Sequence, residues 1–114
     1  MGHAGVPEVG AEEGRAMVDA GALLLDVREL DEWQAGHARD ARFIPLGELE
    51  ARAGELARDR RIVAICRSGA RSARATMFLR AQGLDVVNLT GGMRAWSTAG
   101  LDVVTDDGAA GTVI

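Results

Sequence analysis

The chain has 114 residues, of which 47% are hydrophobic, so it can form one domain with a buried core but not two. The net charge of −4 does not favour a nucleic-acid partner, and no apolar run approaches the roughly 18 residues that a membrane-spanning helix needs. A single cysteine excludes an intramolecular disulfide and a multi-cysteine zinc site.

Helices and strands are predicted to alternate along the chain. In chain order, we predict helix 11–20, strand 22–27, helix 29–34, strand 42–44, helix 46–56, strand 62–65, helix 72–82, strand 85–89 and helix 93–98. This alternation predicts an α/β fold in which helices cover both faces of a parallel β-sheet. We expect a single domain over residues 1–114, with its core at about 8–103 and a loose tail at 104–114.

The only cysteine, Cys66, lies between the strand predicted at 62–65 and the helix predicted at 72–82. Ligands of α/β folds bind beyond the carboxyl ends of the strands, which is where this thiol is expected. The residues that follow are small apart from two arginines, so the backbone can curl and turn several N–H groups inward. The start of the next helix adds unpaired N–H groups, and the loop is therefore predicted to hold an anion.

The surroundings of Cys66 favour a reactive thiol over a buried structural one. A free thiol has a pKa of roughly 8.5, and helix N-termini and nearby cations lower such values. From Arg60 to Leu84 the chain has six arginines and no acidic residue, which favours a local site for an anion. We therefore expect Cys66 to be largely thiolate at neutral pH and to act as a nucleophile without a histidine base.

Four segments carry motifs in a fixed order: LLLDVRELDEW (23–33), GHARDARFIPL (36–46), CRSGARS (66–72) and LTGGMRAW (89–96). Together they resemble the rhodanese homology domain, a sulfurtransferase family, over about Glu8 to Val103. The second segment departs from the family pattern. There the family usually has Ile, Gly and Asn, and this chain has Ala38, Asp40 and Phe43.

The resemblance implies that Cys66 carries a persulfide. Its thiolate would take a sulfane sulfur from an anionic donor such as thiosulfate and pass it to cyanide, a thiol or a protein acceptor. The substrate-binding residues are expected to be Arg67, Ser68, Gly69, Ala70, Arg71 and Ser72. Asp26 and Arg28 are expected to be supporting scaffold near the pocket, because buried charges usually need partners.

Further expectations concern partners and location. No cofactor, metal, nucleic acid or membrane partner is expected, and a monomer is the default at this size. The N-terminus has no basic segment followed by an apolar stretch, so a cytoplasmic location is expected. Structural roles are expected for Trp33, His37, Arg74, Arg80, Gly91, Gly92 and Trp96, and a solvated surface for Glu12, Glu13, Asp106 and Asp107.

Three alternatives to sulfur transfer are open at the level of sequence. Phosphatases with this fold place five residues between cysteine and arginine. Here only four residues lie between Cys66 and Arg71, and the shorter loop suits a sulfur atom. A non-catalytic binding or regulatory module would not need the cysteine and both loop arginines. A sensor of oxidants acting through Cys66 is the third alternative.

Overall fold

The computed structural model of the protein describes residues 5–114, so the first four residues of the predicted domain lie outside the described range. The described residues form strands β1 (Glu8–Val9), β2 (Leu23–Asp26), β3 (Arg42–Phe43), β4 (Ile62–Ile65) and β5 (Val86–Leu89). They also form helices α1 (Ala11–Asp19), α2 (Leu30–Ala35), α3 (Leu46–Arg52), α4 (Ala70–Ala81) and α5 (Gly92–Thr98), and a 3₁₀ turn at Ala53–Glu55. Within the described range, no helix has the length and apolar character needed to cross a membrane.

The strands form one sheet in the order β1-β5-β4-β2-β3, and every neighbouring pair is parallel. Strand β4 lies at the centre, and its four apolar residues are fully buried because helices cover both faces. Ile62 and Ala64 face a cluster that includes residues of α3 and α4, whereas Val63 and Ile65 face a cluster that includes residues of α5. The predicted α/β fold with a parallel sheet is thereby confirmed.

Two local differences from the predicted elements affect the site. Strand β1 was not predicted, and it adds Glu8 and Val9 to the sheet edge beside β5. Helix α4 begins at Ala70 rather than at residue 72, because Gly69 adopts a φ of 112° and turns the chain directly into the helix. Such a φ is readily accessible only to glycine. The loop after Cys66 is therefore three residues long, and Arg71 and Ser72 belong to the first turn of α4.

Residues 104–114, expected to be a loose tail, are packed against the segment that follows α2. His37 and Val104 exchange two backbone hydrogen bonds of 2.8 Å, and the N–H of Thr112 donates to the carbonyl oxygen of Ala35 at 2.9 Å. The backbones approach closely because Gly36 has no side chain, since a Cβ there would lie 2.6 Å from the nitrogen of Thr112. These backbone hydrogen bonds and the close contact at Gly36 thus hold residues 104–114 in place.

Candidate active site

Cys66 follows the central strand β4, and its side chain is almost fully buried, with 1% of the residue exposed. Two groups approach its Sγ atom: the backbone N–H of Gly69 donates to it at 3.1 Å, and the Ser72 Oγ lies 3.2 Å away. Both groups come from the turn into α4, where the first N–H groups of a helix have no intrahelical acceptor. The structure therefore places the sulfur at a helix N-terminus, at the edge of the apolar core and beside two polar groups, and the helix N-terminus favours negative charge.

Beside Ser72 lies a buried amide that the sequence analysis did not single out. Asn88 of β5 is fully buried, and its Oδ1 lies 2.6 Å from the Ser72 Oγ. Its Nδ2 donates to the Glu8 Oε2 at 2.9 Å and to the carbonyl oxygen of Gly69 at 3.2 Å. A polar residue inside the apolar strand VVNL was the available signal, because buried polar groups need partners.

The start of α5 holds the backbone of the cysteine loop from the other side. The N–H of Met93 donates to the carbonyl oxygen of Cys66 at 2.7 Å, and that of Arg94 donates to the carbonyl oxygen of Arg67 at 3.1 Å. Gly92 makes this approach possible, because a Cβ there would lie 2.6 Å from the carbonyl carbon of Arg67. Gly92, for which a structural role is expected, thus lets α5 pack directly on the backbone of Cys66 and Arg67.

The two loop arginines each have a protein partner. Arg71 forms a two-bond ion pair with Glu32 of α2, with N–O distances of 2.6 and 2.8 Å. The Arg67 Nε donates to the backbone carbonyl oxygen of Ile114 at 2.7 Å. Arg71 is close enough to Cys66 for their charges to interact. Both arginines thus surround the loop, although their observed hydrogen bonds go to the protein rather than toward Sγ.

Glu32 was not predicted as a site residue, and it anchors Arg71. Its hydrogen bonds from the Arg71 guanidinium hold its pKa at about 2, well below the usual 4.5. The same pairing raises the pKa of Arg71. The carboxylate also accepts the N–H of Glu29 at 3.0 Å, which caps the start of α2. Glu32 therefore connects α2 to the cysteine loop.

We expect Glu32→Gln to lower the free energy of unfolding at pH 7 by on the order of 2–3 kcal/mol, because it leaves the Arg71 cation without its counterion. The glutamine oxygen can still accept the Glu29 N–H, so the helix cap is kept. Because the folded pKa is depressed, the advantage of the wild type is fully present above pH 4.5 and is lost as the pH falls towards 2.

Urea unfolding at several pH values measures this difference. Glu50→Gln, which removes an exposed carboxylate of α3, is the matched control and should change stability by less than about 0.5 kcal/mol. A difference between wild type and Glu32→Gln that stays constant from pH 7 to pH 2.5 would contradict the assignment of the ion pair.

Asp26 and Arg28 form a fully buried ion pair at the carboxyl end of β2, beside the strand that leads to Cys66. The Arg28 Nε and Nη2 donate to the Asp26 carboxylate at 2.8–3.1 Å, and Nη2 also donates to the carbonyl oxygen of Gly36 at 2.8 Å. Among residues 5–114, the Arg28 Nη1 is the buried side-chain nitrogen or oxygen that has no hydrogen-bond partner. The pair thus fixes the β2 end to the segment after α2.

That segment contains the three departures from the second motif. Ala38 is fully buried, Asp40 pairs with Arg15 at 3.0 Å, and Phe43 stacks on Trp33 with ring centroids 5.0 Å apart. The Trp33 and His37 rings stack with their centroids 3.6 Å apart. The Trp33 Nε1 donates to the Asp106 Oδ1 at 3.2 Å, and the His37 Nε2 lies 2.9 Å from the same oxygen. Asp106, expected to be solvated, is exposed and also contacts both rings' nitrogens.

The other expected structural residues are consistent with supporting positions. Trp96 is buried and donates from Nε1 to the carbonyl oxygen of Asp102 at 3.0 Å, and Arg80 donates to the carbonyl oxygen of Val86 at 3.2 Å. Across residues 5–114, no group of three or more His, Cys, Asp or Glu side chains is arranged to hold a metal ion.

Known proteins resemble this chain in sequence and in structure. The sequence pattern that defines the rhodanese-like domain family matches residues 10–99 of this chain. A sulfurtransferase of Allochromatium vinosum is 41% identical over 87 residues, which cover 75% of this chain and 81% of that protein. The YrkF protein of Bacillus subtilis is 41% identical over 95 residues, which cover 81% of this chain but only 51% of its own length.

Among solved structures, the rhodanese-related protein of Thermoplasma volcanium superposes with a TM-score of 0.83 at 34% sequence identity. The match covers 88% of this chain and 99% of that one. The expected family is confirmed by the matched residues, which include both Cys66 and the loop that follows it. The chain belongs to the rhodanese-like domain family.

Proposed function

We propose that this protein is a sulfurtransferase that carries a sulfane sulfur on Cys66, taking it from an anionic donor of the thiosulfate type. The observation that carries the proposal is the placement of Sγ: it receives the N–H of Gly69 at the start of α4. A hydrogen-bond donor at this position stabilises a thiolate, which is the nucleophilic form of cysteine. The naming of the Allochromatium vinosum relative as a sulfurtransferase supports the same activity.

The reaction consists of two displacements on sulfur. In the first, the Cys66 thiolate attacks the outer sulfur of thiosulfate, a new S–S bond forms, and the S–S bond of thiosulfate breaks. Sulfite leaves with the electron pair of that bond, so Cys66 becomes a persulfide anion. In the second, cyanide or a thiolate attacks the outer sulfur, and the Cys66 thiolate leaves.

The loop residues have separate roles in this scheme. The N–H groups of the turn, including that of Gly69, stabilise negative charge first on Sγ and then on the outer sulfur. Arg67 and Arg71 contribute positive charge around the loop, which attracts an anionic donor even while both are engaged with protein oxygens. Ser68 lies in the three-residue loop after Cys66, and Ala70 and Ser72 lie in the first turn of α4, so small residues surround the position of the sulfur.

Intact mass measurement after incubation with thiosulfate tests the proposal. We expect a gain of one sulfur atom that cyanide removes, and Cys66→Ser should lower thiosulfate:cyanide turnover by at least about 10³-fold. Because the chain has one cysteine, all sulfur bound covalently to a thiol is assigned to this residue.

The control is alkylation of the same sample with iodoacetamide, which reports whether Cys66 is reduced and reachable. If a readily alkylated Cys66 takes sulfur neither from thiosulfate nor from a small persulfide, sulfur transfer is the wrong assignment. Loading from the persulfide alone would retain the sulfurtransferase and replace thiosulfate as the donor.

A further inference from the structure

We infer that Asn88 is a positioning residue that directs the Ser72 hydroxyl proton away from Cys66 and so keeps the sulfur strongly nucleophilic. The inference deepens the proposed function, on which it rests, by adding a residue that acts on the nucleophile through another side chain. It starts from the row of hydrogen-bonded side chains formed by the part-buried Glu8 and the buried Asn88, Ser72 and Cys66.

The orientation of the Asn88 amide is determined by its surroundings. The Nδ2 atom faces two acceptors, the Glu8 carboxylate at 2.9 Å and the carbonyl oxygen of Gly69 at 3.2 Å. Neither can donate a proton when Glu8 is ionised, so the NH₂ group must point towards them. The Oδ1 atom is thereby left facing the Ser72 Oγ at 2.6 Å and can only accept.

The Ser72 hydroxyl has one proton and more than one possible acceptor. Its Oγ lies 2.6 Å from the Asn88 Oδ1, 3.2 Å from the Cys66 Sγ and 3.3 Å from the carbonyl oxygen of Gly69. The contact with Asn88 is the shortest, and a fixed amide oxygen is a better acceptor than sulfur. When the proton points to Asn88, the lone pairs of Oγ face Sγ.

When the Ser72 proton points to Asn88, it affects the neutral thiol and the thiolate of Cys66 differently. A neutral thiol can donate its S–H to Oγ, which continues the row of hydrogen bonds towards Asn88. A thiolate gains a bond from Ser72 only if the hydroxyl turns and gives up Asn88. Asn88 therefore competes with the thiolate for one proton, and the sulfur is more basic than the loop alone would make it.

The same competition favours the sulfur-loaded state over the free thiolate. Once a second sulfur is bonded to Sγ, the negative charge lies on the outer atom and Sγ no longer needs the Ser72 proton. The hydroxyl then bonds Asn88 without loss. A thiolate that receives less hydrogen bonding is also the stronger nucleophile, because nucleophilicity rises with basicity.

The test is the pH dependence of Cys66 alkylation by iodoacetamide, followed by intact mass in Asn88→Leu. Leucine matches the size of asparagine and removes the acceptor, so the Ser72 proton becomes available to the thiolate. We expect the midpoint of the profile to fall by about 0.5–1 pH unit. The limiting rate at high pH should fall about two-fold, because the thiolate is less nucleophilic.

Two further variants separate this role from a general effect on folding. In the Ser72→Ala background, Asn88→Leu should leave the midpoint unchanged, since the proton that it redirects is absent. Thr76→Val removes another buried hydroxyl of α4, which donates to the carbonyl oxygen of Ser72 at 2.8 Å, and should not shift the midpoint. The charged groups around the site are unchanged in every variant: Glu8, Asp26, Arg28, Glu32, Arg67 and Arg71.

If Asn88→Leu does not fold, Asn88→Val replaces it, because valine also removes the oxygen facing Ser72, suits a strand and adds no charge. Its midpoint should likewise lie below that of the wild type. The inference is overturned by an unchanged or raised midpoint in the folded Asn88→Leu or Asn88→Val variant, or by the same shift in the Ser72→Ala background. Alkylation requires no sulfur donor, so these outcomes are independent of whether thiosulfate loads Cys66.

Discussion

Arg28→Met is expected to lower the free energy of unfolding by about 3–5 kcal/mol, because it leaves the Asp26 carboxylate buried without its cation. Both side chains are fully buried, so water cannot replace the lost partner. The carboxylate would keep only the backbone N–H of residue 28, which donates to Asp26 at 3.1 Å in the wild type. Urea unfolding at pH 7 measures the loss.

Two further variants identify the cause of the stability loss expected for Arg28→Met. Arg52→Met breaks exposed ion pairs with Glu48 and Glu55 and should change stability far less than Arg28→Met, because solvent screens surface pairs. Combining Arg28→Met with Asp26→Leu removes both charges and should recover most of the stability, since an apolar pair of similar size is often neutral. A loss in Arg28→Met no larger than in Arg52→Met would contradict a structural role for the pair.

Gly92→Ala is expected to slow the loading of Cys66 by thiosulfate at least about 10-fold and to lower stability by about 2–4 kcal/mol. A Cβ at this position would collide with the carbonyl oxygen of Cys66 and lie 2.6 Å from the carbonyl carbon of Arg67. These are backbone atoms, which cannot rotate away as a side chain would. The loop must shift, and catalysis is sensitive to small displacements of the nucleophile.

The matched control is Gly100→Ala, which separates backbone strain from collision. Gly100 has a φ of 79°, similar in sign to the 57° of Gly92, but a Cβ there meets no heavy atom within 4 Å. We expect a loss of about 1–2 kcal/mol from the left-handed conformation and no change in loading rate. Equal loading rates in both variants would show that contact between α5 and the loop does not position Cys66.

The sequence contained enough information to predict the centre of the fold and the position of Cys66 directly after its central strand. Strand β4 occupies the predicted residues 62–65, because a short run of apolar and β-branched residues suits a strand buried on both faces. The adjoining glycine and small residues predict a tight turn after it. The edge strand β1 was missed because two residues are too few to establish a periodicity.

The partners of the site residues could not be predicted in the same way. Glu32 and Arg71 are 39 positions apart, and Glu8 and Asn88 are 80 apart, so no local pattern connects them. The family resemblance indicated Arg67 and Arg71 as substrate ligands. The ion pair of Arg71 with Glu32 depends instead on how α2 packs beside α4. The placement of residues 104–114 likewise depends on tertiary contact, because glycine-rich composition alone is typical of loose segments.

The near-complete burial of Cys66 limits which molecules can react with it. With 1% of the residue exposed, Sγ offers almost no surface to bulky oxidants or protein thiols. In the proposed persulfide, the outer sulfur would lie one S–S bond, about 2 Å, from Sγ. Under the proposed function, a protein acceptor would therefore meet the loaded form through this outer sulfur rather than through the shielded Sγ.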